Sequence, residues 1–124
     1  MIGIGTDIVE IERVQRIWER HGQRFSRRIL TPDELAACAG VAQPSRFLAK
    51  RFAAKEAVSK CLGTGIGLHL SWQDIELQRD PSGAPLVQLS PRAGALAASR
   101  GGSRVMLSLS DERAYAVAFA VLLA

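Results

Sequence analysis

Asp7 stands in the apolar segment Ile2 to Ile8, out of phase with Ile4 and Ile8. A carboxylate partly withdrawn from water needs a partner: a cation, a cluster of backbone N–H groups or a metal. Glu56 and Lys60 lie four residues apart in a long helical pattern, so they project from one side. Such a pair is often only a surface ion pair worth about 0.2–0.5 kcal/mol. Here Ala49 and Ala53 fall with them within about 60° of arc, and small neighbours admit a ligand or another backbone. Gly63-Thr64-Gly65-Ile66-Gly67 follows at once. A turn of that composition either offers amides to phosphate oxygens or merely caps the helix and redirects the chain. It is not the P-loop, whose lysine follows the glycines within the motif. Should Asp7 and Glu56 meet, two carboxylates completed by phosphate oxygens and water suit Mg²⁺, which dehydrates reluctantly. The two histidines, His21 and His69, occupy unrelated settings, which argues against zinc.

Period-2 alternation of Ile2, Ile4 and Ile8 with Gly3, Gly5 and Asp7 predicts a strand, its glycines marking a bulge or a close backbone approach. Ile11, Val14, Ile17, Trp18 and His21 follow helical spacing up to Gly22. Thr31-Pro32-Asp33-Glu34 is a helix start with a cap, a proline at the first turn and a capping box. After a break over Gly40 to Pro44, Ser45 to Leu62 reads as the longest helix, with Phe47, Leu48, Phe52, Val58 and Leu62 toward the core. Strands are expected over Leu70–Gln78 and Leu86–Leu89 around the turn Asp80-Pro81-Ser82-Gly83, then a helix over Pro91–Ser99. Val105–Ser110 and Tyr115–Leu122 form a final hairpin around Asp111-Glu112-Arg113. The expected fold is α+β, a mainly antiparallel sheet packed with helices in a single domain over residues 1–124.

The composition is that of a globular chain: 124 residues, 48% hydrophobic and 23% charged. The apolar run Ala114 to Ala124 falls short of the roughly 20 residues of a membrane helix, and Asp7 interrupts any signal-type segment. With only Cys38 and Cys61, and no disulfide framework, a cytoplasmic protein is expected. The net charge of +4 lies wholly in residues 1–60, which carry 11 basic and 7 acidic side chains. Arg13, Arg16, Arg20, Arg24, Arg27 and Arg28 share their stretch with one acid, Glu19, so an anionic partner is expected there.

Three segments carry a resemblance to a known family. Gly3-Ile4-Gly5-Thr6-Asp7-Ile8-Val9-Glu10-Ile11 is one, and Phe47-Leu48-Ala49-Lys50-Arg51-Phe52-Ala53-Ala54-Lys55-Glu56-Ala57, continuing through Lys60 to Ile66, is the second. The third is Leu107-Ser108-Leu109-Ser110-Asp111-Glu112-Arg113-Ala114-Tyr115-Ala116-Val117-Ala118. Arg28-Ile29-Leu30-Thr31, Asp74-Ile75-Glu76 and Gly83-Ala84-Pro85 agree between them. Together they resemble the holo-acyl-carrier-protein synthases, small 4′-phosphopantetheinyl transferases, over nearly the whole chain.

The resemblance implies the 4′-phosphopantetheinyl transferase fold and transfer of 4′-phosphopantetheine from coenzyme A to a serine of apo acyl carrier protein. Adenosine 3′,5′-bisphosphate is the other product, and fatty acid biosynthesis the setting. It implies magnesium held by Asp7 and Glu56, Lys60 on the diphosphate, and coenzyme A near Gly63, Thr64, Gly65 and Pro85. Family members are homotrimers with active sites between subunits. Arg51 points about 140° away from Glu56 on an ideal helix, so if it binds coenzyme A it serves a neighbouring subunit's site. The family docks carrier proteins through basic residues early in the chain, which makes Arg13 the first expectation here, followed by Arg20, Arg24 and Arg28. Many members have histidine where this chain has Asp111. An ionised aspartate donates no hydrogen bond to phosphate, so Asp111 is expected only to open the hairpin turn.

Two other classes compete. The isoelectric point of about 9.7 fits RNA, but aromatics are 6% with a single tyrosine, so stacking platforms are scarce. A non-catalytic assembly protein explains the apolar segments but not Asp7, Glu56 and the three motifs. Neither nucleic acid nor membrane is expected as a partner. Trp18, His69, Trp72 and Cys61 read as packing or surface residues.

Overall fold

A computed structural model describes residues 1–124. The chain runs β1 (Gly3–Glu10), α1 (Ile11–His21), α2 (Gln23–Ile29), α3 (Pro32–Cys38) and α4 (Pro44–Cys61), then a 3₁₀ turn (Trp72–Asp74). It continues with β2 (Ile75–Arg79), β3 (Pro85–Leu89), α5 (Pro91–Ser99), β4 (Arg104–Asp111) and β5 (Tyr115–Leu123). All pairing is antiparallel, in two sheets: β1-β5-β4, with Asp7 opposite Ala118, and the separate hairpin β2-β3. No helix is long and apolar enough to cross a membrane.

Small residues decide how α4 sits. Ala49, Ala53 and Ala57 of α4, and Ala116, Ala118 and Ala120 of β5, are all fully buried. Opposite them β1 presents Gly3 and Gly5. A Cβ at Gly3 would collide with the Cys61 carbonyl oxygen, and one at Gly5 with that of Ala57. Of the two readings of the strand glycines, the close approach is the one observed: helix backbone lies directly on strand backbone. The alanine side of α4, expected to admit a ligand or another backbone, is occupied by the sheet. Leu48, Val58 and Leu62 are buried as expected, whereas Phe47 and Phe52 are only half-buried. Phe52 packs against Trp72 with ring centroids 4.9 Å apart.

The glycines also reverse the outlook of β1. Gly3, Gly5, Asp7 and Val9 face α4, while Ile4 and Ile8 are exposed on the other side, where Met106, Tyr115, Val117 and Phe119 join them.

Two local expectations change. The strand expected from Leu70 begins at Ile75, because Ser71 and Asp74 cap each other reciprocally and wind Trp72–Asp74 into one 3₁₀ turn. Helix α2 follows α1 directly after Gly22, whose positive φ of 54° breaks the path. Its short apolar set, half-buried Phe25 with buried Ile29, was not separable from the arginine-rich stretch around it. The Thr31 cap forms as expected: the Glu34 amide donates to Thr31 Oγ1 and the Thr31 amide to Glu34 Oε1.

Candidate functional site

The close approach of β1 and α4 brings Asp7, Glu56 and Lys60 together at one edge of their contact. Lys60 Nζ donates to the Thr6 carbonyl at 3.0 Å and to Asp7 Oδ1 at 3.2 Å. Asp7 is largely buried and Lys60 about half exposed. Burial pushes the Glu56 carboxyl above the ordinary carboxylate range, the neighbouring Asp7 charge raises it further, and Lys60 opposes both. The two carboxylates, far apart in sequence, therefore interact electrostatically across the β1–α4 contact.

Glu56 makes no side-chain hydrogen bond or ion pair, although partial burial and a second carboxylate both penalise its charge. An acid in that position is relieved by a cation, and Lys60 is committed to Asp7 and Thr6. The chain assembles no cluster of three or more metal-binding side chains. A two-carboxylate site leaves most of the coordination shell to ligand oxygens and water, which suits Mg²⁺ and is too poor in protein ligands for structural zinc. The residues present fit the metal that the resemblance implies.

The glycine turn is resolved toward the capping alternative. Gly63 and Gly65 take φ of 88° and 68°. The Gly63 amide donates to the Lys60 carbonyl at 3.0 Å, and those of Thr64 and Gly65 to the Ser59 carbonyl at 3.3 and 3.1 Å. These N–H groups close the end of α4 and are not free for phosphate. The Thr64 hydroxyl bonds the Gly65 carbonyl, and the unpaired Arg100 guanidinium rests on Gly63.

Arg51 lies away from Asp7, as its helical phase requires. It is buried, 4.4 Å over the Phe47 ring, with Nε 3.5 Å from Glu34 Oε2. Its guanidinium borders a cleft of about 300 Å³ that Arg46, Lys50 and Arg79 also line. Pro85 is tied to this cleft by its pairing with Arg79. Asp111 belongs here too: Oδ2 takes Arg46 Nη1 at 2.8 Å, and Lys50 Nζ lies 3.4 Å from Oδ1. The Arg46 hydrogen bond, against a burial cost and with Lys50 helping, holds the Asp111 carboxyl below its ordinary range. Asp111, expected merely to open the turn, organises two cations beside the cleft. The contribution of Arg46 escaped the sequence reading because its link to Asp111 spans 65 residues.

Arg13, Arg20, Arg24 and Arg28 are all exposed and form no ion pair, whereas Arg16 is held by Glu10 and Glu12. Arg24 and Arg28 border a groove floored by Ile17 and Phe25, with His21 at its side. The chain thus carries a carboxylate–lysine site, a cationic cleft on the other side of α4, and a basic face on α1 and α2. Burial pushes the Cys61 thiol up to about 11, so it is no thiolate nucleophile.

Comparison with known proteins gives one answer. Residues 3–120 match the family model of the 4′-phosphopantetheinyl transferase superfamily. The chain is 55% identical over 122 residues to a holo-[acyl-carrier-protein] synthase of Shewanella amazonensis, covering 98% of each. It resembles the crystal structure of the Neisseria meningitidis synthase with a TM-score of 0.93 and 44% identity, each chain covered in full. The Helicobacter pylori synthase in complex with coenzyme A matches with a TM-score of 0.84 and 35% identity, over 96% of this chain and 98% of that one.

Proposed function

The chain belongs to the holo-[acyl-carrier-protein] synthase family of the 4′-phosphopantetheinyl transferase superfamily, and from that premise we propose that Asp7, Glu56 and Lys60 are its catalytic centre. The reaction is transfer of 4′-phosphopantetheine from coenzyme A to a serine of apo acyl carrier protein. The serine Oγ bonds to the β-phosphorus, the bond from that phosphorus to the bridging oxygen breaks, and adenosine 3′,5′-bisphosphate departs. The convergence of two carboxylates and a lysine on one edge of the β1–α4 contact is the observation that supports this site most strongly.

Asp7 and Glu56 would hold Mg²⁺, which when bound neutralises charge on the diphosphate. Lys60 spends two N–H groups on Thr6 and Asp7 and keeps the third for a diphosphate oxygen, where it opposes charge accumulating during bond breakage. Glu56 accepts the serine proton at a carboxylate oxygen, directly or across one water. Coenzyme A also reaches Gly63, Thr64, Gly65 and Pro85. Because the turn's amides are spent on α4, its contacts there come from Thr64, Arg100 and the turn's surface. The cleft of Arg46, Lys50, Arg51 and Arg79 suits the remaining phosphate of coenzyme A, at a neighbouring subunit's site.

The assembly is a homotrimer with active sites between subunits. Support comes from the outer sheet face, where Ile4, Ile8, Met106 and Phe119 are each 42–62% exposed, an apolar patch that monomers rarely leave open. The acidic carrier protein docks on Arg13, Arg20, Arg24 and Arg28, supported by their lack of ion-pair partners. Residues 1–124 act as one transferase domain around a shared core. The enzyme works in the cytoplasm, consistent with two free cysteines.

Intact mass of an apo carrier protein incubated with this protein, coenzyme A and Mg²⁺ tests the reading. A gain of about 340 Da is expected, lost with EDTA and with Glu56→Ala. A folded Glu56→Ala protein with full activity refutes the site.

A further inference from the structure

Lys55, the residue before Glu56, is completely buried. Its ammonium donates to the Ile29 carbonyl at 2.7 Å, Glu34 Oε1 at 2.6 Å and the Trp72 carbonyl at 3.1 Å, so all three N–H groups are used. The acceptors come from three elements: the end of α2, α3 and the 3₁₀ turn before β2. Glu34 passes the connection on, accepting the Thr31 and Leu77 amides at 2.9 Å each. One node therefore ties α4 to four other parts of the fold.

Its place on the helix matters. Lys55 lies about 200° around α4 from Ala57, whose carbonyl meets Gly5 of β1. The helix is thus gripped by the sheet on one side and by the Lys55 node on the other, with Glu56 about 100° from each grip. Well-packed apolar residues can replace a buried ion pair at little or no cost in stability, so stability alone does not call for this one.

We infer that Lys55 is a positioning residue: by fixing the rotation of α4 it sets Glu56 and Lys60 against Asp7. This rests on the assignment of Asp7 and Glu56 proposed above. A rotation of about 10° at a side-chain radius of about 5–6 Å displaces a carboxylate by roughly 1 Å. Displacements of that size cost about a hundredfold in rate, and Mg²⁺ demands near-ideal ligand geometry.

The test compares Lys55→Met with the double variant Glu34→Gln/Lys55→Met. The single variant leaves the buried Glu34 carboxylate with only the Arg51 guanidinium, Nε at 3.5 Å, as counter-charge, whereas the double variant leaves Arg51 without a carboxylate, so the two lose stability through different buried groups. For each, Tm, kcat, the KM for carrier protein and the Mg²⁺ half-saturation are measured well below Tm. The heat of Mg²⁺ binding to the protein with coenzyme A, without carrier protein, gives a readout free of turnover. Both variants are expected to lose at least about tenfold in kcat and about threefold in Mg²⁺ affinity, with the KM for carrier protein within about twofold. Should either variant fail to fold, the other decides. Return of kcat and Mg²⁺ affinity to wild-type values in the double variant overturns the role of Lys55. Glu56→Ala separates the two levels: its retained activity overturns the site assignment itself, whereas an inactive Glu56→Ala beside a fully active double variant overturns only the role of Lys55.

Discussion

Gly5→Ala adds one methyl group at the point where the proposed catalytic arrangement is built. The new Cβ would collide with the Ala57 carbonyl oxygen and lie 2.7 Å from the Cys61 nitrogen and 2.9 Å from Lys60 Cβ. Ordinary contact begins near 3.4 Å, so α4 must withdraw by about 0.7 Å at Cys61 and by more at Ala57. The obstacle is helix backbone, which cannot swing aside as a side chain would. Overpacking of this kind costs about 1–3 kcal/mol of stability. The functional loss is expected to be larger, because Asp7 is two residues along the same strand face and stays with β1 while Glu56 and Lys60 leave with α4. A separation of about 1 Å between groups proposed to share one metal costs on the order of a hundredfold in kcat. Denaturant unfolding measures the first effect, and the intact mass of carrier protein over time, across a Mg²⁺ titration, measures the second. Gly94→Ala is the control: it sits in α5 with nothing within 4 Å of its added Cβ, so a stability gain of up to about 1 kcal/mol and unchanged kcat are expected. A Gly5→Ala protein with wild-type kcat and Mg²⁺ half-saturation would refute the claim that helix–strand contact sets the site.

Three further outcomes are expected. Arg13→Glu should raise the KM for carrier protein at least about tenfold, leave that for coenzyme A within about twofold, and weaken the salt dependence of association; equal effects on both substrates would exclude Arg13 from docking. Phe119→Glu places a charge on the exposed apolar sheet face and, if the proposed trimer packs there, should convert it to monomer in sedimentation, with activity falling alongside; an active, trimeric variant would locate the interface elsewhere. Asp74 is held down to about 2; burial opposes this, and the Ser71 amide, Ser90, Arg92 and the Ser71 hydroxyl supply the lowering. A carboxyl depressed on folding stabilises above its unfolded pKa of about 3.9 and loses that contribution as pH falls toward about 2. Asp74→Asn should therefore cost roughly 2 kcal/mol at pH 7 in denaturant unfolding, with the gap to wild type closing between about pH 4 and 2; a gap independent of pH would assign the loss to shape rather than charge.

Local order was largely legible in the residues themselves. The Thr31-Pro32-Asp33-Glu34 start, the helix closed by Gly63 and the final hairpin depend on caps, turn residues and periodicity within a few positions, and each forms within a residue or two of expectation. The 3₁₀ turn at Trp72 was hidden because Ser71 and Asp74 satisfy each other locally where alternation suggested a strand. The choice between cap and phosphate cradle at Gly63–Gly65 was also hidden, because it depends on whether the amides are already spent.

The sequence by itself determined that Glu56 and Lys60 share a helix face, that Asp7 lies in an apolar strand, and which family pattern the three motifs follow. Tertiary structure decided everything that joins residues distant along the chain. It brought Asp7 within electrostatic reach of Glu56 across the glycine–carbonyl contact, paired Asp111 with Arg46 and Lys50, and buried Lys55 against Ile29, Glu34 and Trp72. Periodicity reports which side of an element a residue occupies, whereas partners depend on how closely two backbones approach. Here that distance was set by two glycines and a row of alanines whose fit appears only once helix and sheet are packed.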